Sequence, residues 1–185
     1  MKDMALKVTL MSAAAVLLGA AANAQDRSAF ETGPVFDDFG PHAAIAGLEP
    51  FAADTEFAHS FDVAKNAEGE TRNRGFESAA RFVNMHAANG VSQENIRIAV
   101  VVHGSAVLDL LTDEARAARD FGEVNPSGAM VREMLGAGVR FIVCGQSAAG
   151  QGIAAADLIE GVEMDLSAMT AHAKLQQRGF TVNPF

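Results

Sequence analysis

Two stretches of this chain are apolar at nearly every position, and they limit what it can fold into. Ile96 to Val102 reads Ile-Arg-Ile-Ala-Val-Val-Val, and Val139 to Cys144 reads Val-Arg-Phe-Ile-Val-Cys. Short runs of this kind, rich in β-branched side chains and stopping at a loop, suit strands covered on both faces in a parallel sheet. The first ends at His103-Gly104-Ser105 and the second at Cys144-Gly145. In such sheets ligands and chemistry collect just beyond the carboxyl ends of the strands.

The rest of the chain alternates between strand and helix patterns. Phe57 to Ala64 alternates as a first strand, with Phe57, His59, Phe61 and Val63 on one side. Thr71 or Asn73 caps a helix carrying Phe76, Ala79, Ala80, Val83 and Ala87, which Gly90 stops. His59 and His86 fall on these core faces and read as packed, hydrogen-bonded histidines. Val107, Leu108, Leu110 and Leu111 begin a second helix, continued by the charged segment Asp113 to Asp120. Asn125-Pro126 starts a third, with Met130, Val131, Met134 and Leu135, ending at Gly136 to Gly138. Gly145 to Gly152 reads as a loop, followed by one or two helical turns over Ile153 to Ile159. Val162 and Met164 form a short fourth strand, Ser167 caps a last helix with Ala168, Ala171 and Leu175, and Phe180-Thr181-Val182 is a fifth strand. This alternation predicts an α/β layer fold with a mostly parallel sheet of about five strands.

The ends of the chain add processing and an arm. Val8 to Ala22 is an apolar run behind Lys2 and Lys7, and Ala22-Asn23-Ala24 suits a signal peptidase, so residues 1–24 read as a signal peptide cut after Ala24. At about 15 residues the run is short for a spanning helix. The expected location is periplasmic or secreted, with no membrane attachment after the cut. Residues 25–54 carry Pro34, Pro41 and Pro50 together with Phe30, Phe36, Phe39 and Phe51. So many large apolar side chains argue for an extended arm lying on the domain or on a neighbouring subunit; a disordered spacer is the alternative. The domain proper then spans 55–185.

Charge and residue usage exclude several partners. The whole chain carries a net −9, and residues 1–24 contain two Lys and one Asp, so the mature chain is at least as acidic. Nucleic acid and anionic membrane are poor partners for it. Trp and Tyr are absent, which removes the usual stacking platforms for sugars and bases. A single cysteine in an exported chain cannot form an internal disulfide, so Cys144 is buried, reactive, or bonded to another molecule.

If the two loaded strands are adjacent and parallel, Cys144 and His103 open onto the same edge. A thiolate is the reactive form of cysteine and is favoured by helix amino termini or an imidazolium, so His103 would support its ionisation. The bland alternative is a core thiol and a loop histidine, and spacing alone favours it. No paired Cys or His spacing marks a metal site. The Gly145–Gly152 segment lacks phosphate-loop and dinucleotide spacings, so no cofactor is expected. Ser105 and Ser147 lack the nucleophile-elbow motif of hydrolases.

The residues Ile98 to Ser105, Asn125-Pro126, Gly138 to Ser147 and Leu175-Gln176-Gln177-Arg178-Gly179-Phe180 together resemble the DsrE/DsrF-like family, also called YchN-like. The likeness spans roughly Phe57 to Phe185. It implies a three-layer α/β/α sandwich that assembles into homotrimers or hexamers. Its sulfur-relay members carry a persulfide on a cysteine after this same strand, which falls here on Cys144. On that reading Cys144 and His103 are the catalytic pair, and Gly145, Gln146, Ser147, Gly104 and Asn125 contact the bound group. A sulfur donor or acceptor protein, or a small thiol, is the implied partner, and sulfurtransferase-like activity the implied chemistry. The alternative is an oligomeric ligand-binding or assembly module with an inert cysteine.

Overall fold

A strand that buries both faces needs a layer on each side of it, and the central run has one. Ile98, Val100 and Val102 alternate with Ala99 and Val101, and all five are at most 2% exposed. The first set joins a large cluster with Phe61, Val63, Phe76, Phe141 and Val143. The second joins a smaller one with Ile142, Ala171, Leu175 and Phe180. The computed structural model describes residues 28–183, and the predicted signal peptide and its cut lie outside them.

In chain order the elements are β1 (Phe30–Glu31), β2 (His42–Ala43), β3 (Phe57–Val63), α1 (Arg74–Ala88), β4 (Ile96–Val102), α2 (Asp113–Ala117), α3 (Gly128–Gly136), β5 (Arg140–Cys144), α4 (Gly145–Gly150), β6 (Glu163–Asp165), α5 (Ala168–Gln177) and β7 (Thr181–Asn183). The main sheet runs β6-β5-β4-β3-β7, and every pairing in it is parallel. The buried apolar side chains of α1 and α3 enter the large cluster, while those of α5 enter the small one. The fold is therefore an α/β/α sandwich with a five-stranded parallel sheet.

Residues 28–54 lie against α1. β1 and β2 pair antiparallel, and between them Phe36 and Phe39 stack with ring centres 4.9 Å apart and enter the main core. Asn84, buried in α1, accepts from the Val35 and Phe36 amides and donates to the carbonyls of Phe36, Phe39 and Gly40. One side chain thus satisfies five backbone groups of an otherwise irregular segment. Gly40 is required there: a Cβ would lie 2.7 Å from backbone atoms of Ala80 and Arg81.

Three local expectations are corrected. The second helix does not run from Val107 through Asp120. A 3-10 helix spans Gly104–Leu110 and ends where Leu111 turns extended, after which Thr112 caps the separate helix α2 through the Ala115 amide. The break is made by tertiary pairing, since Leu111 bridges Leu158, Thr112 N–H donates to Asp157 and Ile159 N–H to Leu110. The glycine-rich segment after Cys144 is not a loop but α4, which starts at Gly145. Ile153–Ile159 holds only the 3-10 turn Ala155–Asp157.

Candidate functional site

The register places the site. β4 and β5 pair with Val102 opposite Val143, so His103 and Cys144, each the next residue on its strand, leave adjacent strand ends. Alternation of side chains puts both on the α5 face, together with Ser60 and Asp62 of β3. Cys144 pairs in turn with Asp165 of β6. After β5 the chain enters α4, whose Ala148 packs in the large cluster, whereas after β6 it enters α5 on the opposite face. Cys144 thus stands where consecutive connections diverge to opposite faces of the sheet, the place where open α/β sheets form a crevice.

Cys144 is 6% exposed, so the sulfur is largely covered. Burial pushes its pKa up, but the nearby Ser147 hydroxyl and the backbone N–H groups of Ser147, Ala168 and Gln146 bring the thiol below its ordinary value. These groups come from the first turns of two different helices, α4 and α5. Gly145 lets them converge, because a Cβ there would sit 2.8 Å from the Asp165 carbonyl oxygen. The Ser147 oxygen accepts the Gly104 N–H at 3.0 Å. Gln151 Nε2 donates to the Gly104 carbonyl at 2.8 Å, and Gln146, on the surface, reaches the Leu166 carbonyl at 3.2 Å. Four of the five residues expected to contact a bound group, Gly104, Gly145, Gln146 and Ser147, are therefore gathered around the thiol.

His103 and Asn125 are placed differently from the expectation. The His103 ring directs Nε2 to Asp62 Oδ2 at 3.2 Å, toward β3 rather than toward the sulfur on β5. Asn125 is buried, with Nδ2 donating to the carbonyls of Asp109 and Leu111 and Oδ1 accepting from the Ser127 amide. Its amide is used up in shaping the approach to α3, so it is a structural residue. His59 and His86 are packed: His86 bonds the Phe82 carbonyl at 2.7 Å with the two rings 3.9 Å apart, and His59 meets the Thr181 hydroxyl. Burial lowers the pKa of both imidazoles.

Asp62 and His172 were not singled out in the sequence. Asp62 Oδ1 meets His172 Nε2 at 2.9 Å, and His172 Nδ1 lies 3.3 Å from the Ser60 hydroxyl. Burial raises the Asp62 pKa, but the hydrogen bonds and charge of His172 and His103 bring it below the ordinary carboxylate value. The available signal was a polar pair, Ser60 and Asp62, on a strand whose two faces are both covered. Each imidazole takes a different oxygen of Asp62, and among the described residues no group of three or more His, Cys, Asp or Glu is arranged to hold a metal.

A parallel α/β/α sandwich with a lone thiol at the carboxyl edge of its sheet defines the class of protein. The chain belongs to the DsrE/DsrF-like family, whose model matches residues 60–184. Among solved structures it is similar to MTH1491 from Methanobacterium thermoautotrophicum, a protein of unknown function, at 24% identity and a TM-score of 0.53, over 69% of this chain and 98% of that one. That likeness concerns the fold. None of the curated proteins compared with the chain matches it.

Proposed function

We propose that the protein is an exported sulfur carrier in which Cys144 holds sulfane sulfur as a persulfide. The observation that carries this reading is the place of the thiol, at the carboxyl end of β5 where α4 begins and beside the strand that leads into α5, where the polar groups of the two helix starts lower its pKa in spite of burial. The Cys144 thiolate attacks the outer sulfur of a persulfide donor. A new S–S bond forms, the donor's S–S bond breaks, and its electron pair leaves with the donor thiolate. An acceptor thiolate reverses the exchange, so no external oxidant or reductant is needed. Ser147 and the amides of Gln146 and Ala168 stabilise whichever sulfur carries the charge, and His103, at the adjacent strand end, exchanges protons with the bound group.

Family membership and the apolar segment before Ala24 support the carrier role and the export. Exposed Met164, Leu166 and Met169, beside the edge strand β6, support assembly into a homo-oligomer, which light scattering on the purified chain tests. Among the described residues no helix is long and apolar enough to cross a membrane. Incubation with thiosulfate or polysulfide, followed by intact mass and cyanolysis, tests the chemistry. Wild type gains sulfur and Cys144→Ser does not. No gain on wild type, or equal gain on both, refutes the reading.

The near-complete cover of the thiol favours a second reading, an assembly or binding module in which the sulfur is inert. Alkylation of the native protein separates them: fast labelling supports the carrier, and labelling only after denaturation supports the module.

A further inference from the structure

Two of the groups around Cys144 come from places that packing alone holds weakly. The Ala168 N–H belongs to the first turn of α5, and α5 rests on a small apolar cluster through Ala171 and Leu175. Its other ion pair, Lys174 with Asp165 at 2.9 Å, has a largely exposed ammonium, and such pairs contribute little. His103 sits at a strand end with its ring partly exposed. One carboxylate reaches both. Asp62 takes His103 through Oδ2 and His172 through Oδ1. His172 lies four residues after Ala168, on the same face of α5. Its ring is 16% exposed, so this is the less solvated polar anchor of the helix on the sheet.

We propose that Asp62 is the positioning residue of the thiol site: through His172 one oxygen seats the start of α5 so that the Ala168 N–H faces Cys144, while the other oxygen holds the His103 ring on the β3 side of its strand end. The inference deepens the carrier reading and rests on it for its purpose. Its test needs no sulfur donor, so the two fail separately.

Asp62 as a bystander charge and Asp62 as a positioning group predict opposite signs. Removing a nearby negative charge favours a thiolate, whereas unseating its donors disfavours it. The pH dependence of Cys144 alkylation is measured in the full chain for wild type, Asp62→Asn, His172→Leu and His172→Gln. Hydrogen exchange of the Ala168 amide is followed in each. In Asp62→Asn and His172→Leu the half-maximal pH moves up, alkylation at neutral pH slows about tenfold, and Ala168 exchanges faster. His172→Gln, whose amide can still donate to Asp62, stays near wild type. A wild-type or downward profile in either folded variant overturns the proposal. If Asp62→Asn does not fold, the two His172 variants decide it.

Discussion

Ser147 accepts from Gly104 and lowers the pKa of the Cys144 thiol, so its hydroxyl bears on two strand ends. Ser147→Ala removes a hydroxyl able to stabilise the thiolate, and hydrogen bonds to charged groups contribute about 1.5–3 kcal/mol. The native protein is expected to alkylate at neutral pH about tenfold more slowly, read by iodoacetamide kinetics. His86 makes a second prediction. Burial holds its pKa below the ordinary value, with the Phe82 carbonyl opposing. The unfolded chain therefore binds more protons than the folded one below about pH 6.5. Stability present above that value is lost as pH falls toward the lowered pKa. Thermal melts should show a fall in Tm on acidification through this window, and His86→Leu should flatten it. At this scale the sequence located the thiol, because a lone Cys at a strand end is visible locally. Asp62 and His172 escaped because they meet across 110 positions, and no local pattern records such a pairing.

Helix α4 can start where it does because Gly145 lies against the Asp165 carbonyl. Gly145→Ala places a Cβ 2.8 Å from that oxygen, so α4 and the start of α5 must part. A loss of about 1–3 kcal/mol in urea unfolding is expected, together with slower alkylation of Cys144. Three glycines in eight residues read as a loop for the same reason that the helix was missed: the contact that selects the helix comes from β6. The break at Leu111 has a similar origin, in pairing with Leu158. β4 and β5 were legible because burial on both faces leaves apolar residues at nearly every position, and β3 because its large side chains alternate. The arm depends on Asn84, which satisfies five backbone groups. Asn84→Leu leaves them buried without partners and should cost about 3 kcal/mol or more, seen as a lower urea midpoint.

Across the whole molecule, the sheet order brings Cys144 to the crevice between connections that leave to opposite faces. Alternating strands and helices predicted the layers, but the order of the strands follows from long-range pairing. The resulting crevice has polar groups from α4 and α5 around one sulfur. The central claim is that this arrangement holds Cys144 as an anion at a pH where a free thiol is protonated. The absence of Trp and Tyr leaves the ultraviolet absorbance of the thiolate unmasked by phenol ionisation, so the single cysteine can be titrated directly in the native protein. The account predicts half-ionisation below the ordinary cysteine value of about 8.5, with the step absent in Cys144→Ser. A midpoint at or above that value would contradict it.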